Sequence, residues 1–543
     1  MSKSFFKKYG PHLIGMGLSL IPFLIHFIEY PNSPRRDWDY FNSLALMIRS
    51  YLSQGELPLL DPWVCGGVDI LANPQNWIYS PLVILYPLLT PYLANLFSIL
   101  ICSCLGYLGM WKLCEKEESR PNRILLAVLF TLSPFFLLHF IEGHIVYRTF
   151  YLLPLVFCLA RDLRSLKQVW GLCALLSFMF LDGGLYPFYF SLILIFINLN
   201  YKKFWLLLRA KENRTNWLLI LSAGFALLMA KAIPVLSVHY TRKPEHEITQ
   251  YSIANIFEAL FSIKQSNYVQ MEGMKYLGHE YYHYIGFSLL VLIIWGLKQF
   301  KTLKWQLAQM ALFSWVAFGI LGVFNPWTII KAIPLVNHIH VQSRFLIIVF
   351  MLILFFISHI KVPGRWKTVL LITALGEFLY SGVFIHHSGF QQKMDSRQVR
   401  ATEIGRDQNV YEPFVPKPFV YQSGNLSRSC YEPAKNPILN SLQLFAGQAA
   451  EGLRADFEYN KIRIHSSNVI KDRIIFNFAW NGGWDCQNCD AYENSGLIEI
   501  LPYEGVKEVV LEYNPYHRQF SLLFFLLGLV FLVWSYRKVK HEF

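Results

Sequence analysis

The chain has 543 residues, of which 54% are hydrophobic and only 16% charged, against roughly one quarter charged in soluble domains. This composition excludes a soluble globular enzyme and places the chain among polytopic membrane proteins. The net charge of +13 sits largely in short segments between apolar runs, which fits the positive-inside pattern of membrane topology and not a nucleic-acid footprint.

In chain order, apolar runs of about the length that crosses a bilayer are expected near 11–29, 92–112, 124–140, 149–160, 169–182, 184–199, 218–236, 285–298, 307–323, 344–360, 367–386 and 519–536. The expected fold class is therefore a polytopic α-helical membrane protein of about twelve spans, with a β-rich domain outside the membrane before the last span. Lys3, Lys7 and Lys8, then Arg161, Arg164 and Lys167, and at the end Arg537, Lys538 and Lys540 mark inner segments. They place both termini in the cytoplasm. The first run ends in Glu29-Tyr30-Pro31 without a small-x-small cleavage pattern, so it is expected to be an uncleaved anchor. Residues 1–386 make up the transmembrane domain, with outer loops at 30–91 and 237–284. Residues 387–518 form the outer domain, and 519–543 the last span with its basic tail.

The first outer loop is the richest stretch. It reads Asp37-Trp38-Asp39-Tyr40, Gly55-Glu56-Leu57-Pro58, Asp61-Pro62-Trp63, Gly66-Gly67 and Leu71-Ala72-Asn73-Pro74-Gln75. Carboxylates at a membrane mouth are costly to desolvate unless they are paired or used. Residues 40–52 alternate at helical spacing and could lie in the membrane interface. On a helix, Asp37 and Asp39 do not share a face, whereas on an extended stretch they do. Capping a helix that begins near Tyr40 is the competing job for either.

The second outer loop carries His279, Glu280 and His283, the two histidines four apart as a helical metal pair would be. Simple loop residues are the competing reading. Asp182-Gly183 between two spans reads as turn chemistry. His338 and His340 would share a strand face. Lys231 lies inside an apolar run, and Arg344 begins one, where an arginine either binds an anion or snorkels. In the outer domain, residues 461–465 alternate as a half-buried strand, and 473–480, 496–501 and 506–513 are further β-type runs around the turn Asn481-Gly482-Gly483. Cys486 and Cys489 form a C-x-x-C with no second ligand pair at zinc spacing, so a structural disulfide is expected. Cys65 and Cys430 also lie outside the spans.

The first-loop phrases, with Tyr79-Ser80-Pro81-Leu82, Glu142-Gly143-His144, Ile233-Pro234 and Ser343-Arg344-Phe345, resemble those of the bacterial YfhO-like membrane proteins. Leu60-Asp61-Pro62 stands where that family usually has Trp-Asn-Pro wording. The family is similar to the GT-C superfamily of glycosyltransferases. The resemblance implies an enzyme of the bacterial cytoplasmic membrane that moves a sugar from a polyprenyl-phosphate donor to a glycan, lipid or protein acceptor on the outer side. It also implies an acidic residue of the first outer loop at the reaction centre, which here is Asp39 or its neighbour Asp37. Inverting transfer needs a base for the acceptor hydroxyl and a group to stabilise the departing phosphate. Asp39 is the expected base, with Asp37 as second choice or orienting residue. Arg344, then Arg148, then Lys231 are the expected phosphate-binding cations. His144, Asp182, His279, Glu280 and His283 are lesser candidates. The superfamily contains metal users and metal-free members, so a divalent metal stays open and no ligand set is assigned. Membrane lipids are partners by construction. The competing classes are a transporter or flippase of a lipid-linked or polar solute, and a non-catalytic scaffold of envelope assembly.

Overall fold

The apolar runs fold as helices. The computed structural model describes residues 3–29, 36–62, 67–210, 213–239, 249–266, 269–331, 339, 341–391, 445–446 and 452–540. His338, His340, Trp63, Cys65, Gly66, Cys430 and most of 392–451 lie outside the described residues, as does the side chain of Asp39. In chain order come α1 (Lys3–Glu29), α2 (Arg36–Ser53), the small antiparallel pair β1 (Leu60–Asp61) and β2 (Val68–Asp69), α3 (Leu85–Leu88), α4 (Pro91–Leu113), α5 (Arg120–Thr131) and α6 (Pro134–Glu142). A 3-10 stretch over Ile145–Leu152 leads into α7 (Leu153–Arg161), α8 (Leu166–Leu181), α9 (Leu185–Asn198), α10 (Tyr201–Arg209), α11 (Arg214–His239) and α12 (Ile253–Phe261). Then follow α13 (Phe287–Leu297), α14 (Phe300–Phe318), α15 (Pro326–Lys331), α16 (Leu346–His359) and α17 (Trp366–Gln391). Prolines stand at the first turns of α4, α5, α6 and α7, where the missing N–H has no helical partner to lose.

Each of the twelve expected segments contains helix. Among the described residues, six helices are long and apolar enough to cross a membrane: Pro91–Leu113, Arg120–Glu142, Arg214–Ser237, Gln342–His359, Trp366–Ser388 and His517–Lys540. The pair α9–α10, bent by 91°, makes a seventh if it counts as one span. Gly10–Ile25, α8 and α13 are apolar but shorter. In α16 nearly every residue is buried, as an all-round apolar helix requires, and α5, α7, α13 and α14 pack against it.

The β-rich region near the C-terminus is built from strands β3 (Phe445–Ala446), β4 (Leu453–Glu458), β5 (Lys461–Ser466), β6 (Ile474–Ala479), β7 (Trp484–Gln487), β8 (Cys489–Asn494), β9 (Leu497–Pro502) and β10 (Glu508–Tyr513), followed by α18 (His517–Lys540). Two antiparallel four-stranded sheets form, ordered β4-β5-β10-β7 and β3-β6-β9-β8. Period-two alternation sends Ile462, Ile464, Ile498 and Ile500 inward, and Phe457, Phe478 and Trp484 meet between the sheets. A disulfide joins Cys486 and Cys489 at the turn from β7 to β8.

The first loop is held from several directions. Along α2, Trp38, Phe41, Ala45, Ile48 and Tyr51 make a buried stripe at helical spacing, so its apolar face is covered by protein. Asn460, in the left-handed turn between β4 and β5, accepts from the amides of Leu59 and Leu60 at 3.1 and 3.2 Å and donates to the Leu57 carbonyl at 2.9 Å. The buried carboxylate of Asp69 accepts from Tyr513 Oη at 2.7 Å and lies 2.8 Å from His517 Nε2. The first loop, the β-sheets and the start of α18 therefore form one packed unit at one end of the helices.

Candidate functional site

A corner of the backbone creates the site. Helix α6 ends at Gly143, whose φ of 97° is the left-handed cap that ends many helices. A Cβ at this position would fall on the backbone nitrogen of Trp38. Only glycine therefore lets the first turn of α2 approach so closely. Trp38 locks the contact by donating Nε1–H to the Phe140 carbonyl at 2.8 Å. The corner then presents His144, whose Nε2 lies 3.1 Å from Asp37 Oδ2. The Nδ1 atoms of His139 and His144 face each other at 2.7 Å.

The second outer loop closes the other side. A 3-10 turn over Gly278–Glu280 carries Glu280 against the start of the α16 span, where Ser343 Oγ donates to the Glu280 carbonyl at 2.6 Å. Arg344 grips the Glu280 carboxylate with two nitrogens, Nε at 2.8 Å and one terminal nitrogen. Its guanidinium lies over two rings, 4.8 Å from the centre of Tyr147 and 4.2 Å from that of Tyr186. His279 lies 3.6 Å from Glu280 and 3.9 Å from Glu142.

These contacts set the charge states. Burial works against charging His144, but its hydrogen bond to Asp37 and the charges of Asp37 and Glu280 outweigh it and hold the imidazole above its ordinary 6.5. Burial would push the Glu280 carboxyl up, yet Arg344 and His279 outweigh it and hold it well below the usual carboxylate range. Asp37 keeps 22% of its side-chain surface exposed, so the cluster is reachable from its side.

Several expectations are redistributed. Asp37, His144, His279, Glu280 and Arg344 come together, although they lie in four separate sequence regions. Helix α2 begins at Arg36, so Asp37 and Asp39 both lie in its first turn and neither caps a helix starting at Tyr40. His279 and His283 are not a helical pair, as the simple-loop reading has it, because Tyr281 stands in a turn and 282–286 is not helical. His283 is buried between Phe135 and Phe350, apart from the cluster.

Arg148 and Asp182 meet 2.7 and 2.8 Å apart in a doubly bonded pair with no side-chain exposure, and Ser80 donates to the same carboxylate at 2.6 Å. Lys231 donates to the carbonyls of Asn76 and Phe180 at 2.6 and 3.1 Å. Arg148, Asp182 and Lys231 thus tie the first loop down to the helices, in a second group held by protein partners except at Nη1 of Arg148, which is buried without one. Asp182 stands in the turn between α8 and α9 that its sequence suggests, with Gly183 at a φ of 83°, and its carboxylate is engaged by Arg148 and Ser80.

His139, Tyr147 and Tyr186 do not stand out in the sequence, and Glu142 does so only within the phrase Glu142-Gly143-His144. His139 stands inside an apolar run, where an imidazole reads as core, and only its five-residue distance from His144 across the glycine hinted at a pair. Among the described residues, His139, His144 and Glu280 are the group able to hold a metal ion, with ligand atoms all within 4.8 Å of one another.

No family model matches the chain, and neither a curated protein nor a solved structure does.

Proposed function

We propose that this protein is a GT-C-like glycosyltransferase of the bacterial cytoplasmic membrane. It takes a sugar from a polyprenyl-phosphate donor and passes it to an envelope acceptor on the outer side. In this reading all twelve helical segments cross the membrane and both termini are cytoplasmic. The supporting observation is the convergence of Asp37 with His144, Glu280 and Arg344 at the end of the helices that also carries the β-sheets. That is the end which the distribution of Lys and Arg assigns to the outside.

The chemistry follows from the groups. The acceptor hydroxyl oxygen bonds to the anomeric carbon as the bond from that carbon to the phosphate oxygen breaks. The electron pair leaves with the lipid phosphate, and the hydroxyl proton passes to Asp37. A phosphate leaves readily, so the site needs a base more than an acid. Arg344 spends Nε and one terminal nitrogen on Glu280, and the other terminal nitrogen serves the phosphate. Because Glu280 balances the guanidinium charge, Arg344 acts mainly as an oriented donor. The buried charges of Arg148 and Asp182 neutralise each other and Lys231 is held by two backbone carbonyls, which weighs against reading this group as a solute path.

Asp37 takes the base role here in place of Asp39, since two helical neighbours two residues apart face different directions. The test is transfer of radiolabelled sugar from a panel of polyprenyl-phosphate donors, in membranes with equal amounts of wild type, Asp37→Asn or Asp39→Asn. Loss of a general base lowers transfer about 10²–10⁴-fold, and that loss is expected for Asp37→Asn. Full activity in Asp37→Asn with loss in Asp39→Asn would return the role to Asp39. No transfer by wild type above empty membranes with any donor would overturn the enzyme reading.

A further inference from the structure

We propose that His139, His144 and Glu280 bind a divalent transition-metal ion of the zinc class, with Asp37 and Arg344 as the residues that orient the ligands. The inference concerns the same cluster as the transferase reading but stands on ligand geometry alone.

Proton accounting at the imidazoles comes first. A neutral histidine has one N–H and one lone pair. In its neutral form His144 keeps its one proton on Nε2, aimed at the Asp37 carboxylate 3.1 Å away, and has a lone pair on Nδ1. That lone pair faces Nδ1 of His139 at 2.7 Å. Two ring nitrogens aimed at each other need either a hydrogen between them, which the Nδ1–H tautomer of His139 would donate while leaving its buried Nε2 lone pair without a partner, or a metal ion. Around a tetrahedral ion with bonds of about 2.0–2.1 Å, ligand atoms lie about 3.3 Å apart, so a small opening of the two rings admits one. The Glu280 carboxylate offers a third ligand, one of its oxygens lying within 4.8 Å of a ring nitrogen of each histidine.

The surrounding shell matches what such a site requires. A carboxylate on the far nitrogen of a ligating histidine fixes its tautomer and raises its basicity, and Asp37 stands in that position. Arg344 holds the Glu280 carboxylate through two nitrogens and leaves lone pairs for an ion. The charge also balances. With neutral imidazoles, the carboxylates of Asp37, Glu142 and Glu280 against the guanidinium of Arg344 leave two negative charges, which a divalent cation would neutralise. Two imidazoles and one carboxylate favour zinc, cobalt or iron over magnesium or calcium, and three protein ligands leave one position for a substrate oxygen.

The experiment uses the full chain, purified in detergent without a polyhistidine tag. The protein is stripped with a chelator, reloaded with Zn²⁺ or Co²⁺, and dialysed. About one ion per chain is expected by mass spectrometry of the metal, together with the visible absorption of four-coordinate cobalt. His144→Gln and Glu280→Gln should each lower retention at least tenfold. Asp37→Asn should still bind but about 10–100-fold more weakly, as outer-shell changes do. Size-exclusion profiles check that each variant is folded. Less than one ion per ten wild-type chains would overturn the proposal in favour of a shared proton, whatever the variants do. Wild-type retention in a folded His144→Gln variant would overturn it too. Metal content is read without any sugar donor, so a failed transfer assay and a failed metal site are separate results.

Discussion

At the scale of single residues, Gly143 controls whether the cluster exists. Its positive φ costs a non-glycine residue about 1–3 kcal/mol, and the added Cβ would also press on the Trp38 backbone. Gly143→Ala should therefore displace the first turn of α2 and pull Asp37 away from His144. The matching control is Gly55, which has a φ of 75° but nothing within 4 Å of its Cβ position. Gly55→Ala carries the strain without the collision. Sugar transfer, measured at equal expression, should fall at least tenfold in Gly143→Ala and stay within twofold of wild type in Gly55→Ala. Equal effects in both would mean that close approach at the corner is irrelevant to the site. The phrase Glu142-Gly143-His144 was visible in the sequence. The reason for its glycine was not, because the partner that demands it lies about a hundred residues earlier in the chain.

At the scale of elements, legibility followed periodicity. Apolar runs announced the helices, and alternation announced β5, β6, β9 and β10, because burying one face writes a repeat into the sequence. Strands β4, β7 and β8 passed unnoticed. Their inward residues are few, and exposed polar side chains such as Arg454, Asp456 and Glu493 dilute the pattern. The second outer loop was ambiguous for a different reason. The four-residue spacing of His279 and His283 carries meaning only on a helix, and the chain there forms one 3-10 turn and is not helical beyond it. His283 consequently enters an apolar layer, where neither ring nitrogen has a hydrogen bond, and burial pushes its pKa down to about 3. A proton that binds the unfolded chain near pH 6.5 but not the folded one favours unfolding. Stability present above pH 6.5 is thus lost as the pH falls towards 3. From pH 7 to pH 5 the loss from this group is about 2 kcal/mol. His283→Phe keeps a ring between Phe135 and Phe350 and has no proton to bind. The difference in melting temperature between His283→Phe and wild type should therefore widen in favour of the variant from pH 7 to pH 5. A constant difference across that range would show that His283 is not the acid-sensitive group.

At the scale of the whole molecule, the first loop is the joint between helices and sheets, and polar groups do most of the joining. Arg148, Asp182 and Lys231 fix it from below, while Asp69, Asn460 and Tyr513 fix it from the β-sheets. Such groups have no period, so their partners could not be paired from the sequence, although Asp69 and Asn460 are ordinary residues in plain view. Asn460 is the most exposed to test, since one amide side chain serves two buried N–H groups and one carbonyl of residues 57–60. Asn460→Ala leaves those groups without their partner, at about 1–3 kcal/mol for a buried group left unsatisfied. It also places an alanine where the φ is 55°. Asn460→Gly relieves the backbone but still lacks the amide, which separates the two effects. Hydrogen–deuterium exchange of peptides covering 57–61 should speed up at least tenfold in both variants, and peptides from α16 should keep wild-type protection. If the 57–61 peptides exchange at the wild-type rate in both, the β-sheets only rest beside the loop. If α16 loosens as well, the joint extends through the Glu280 cluster into the helices, and the outer domain sets the geometry of the site itself.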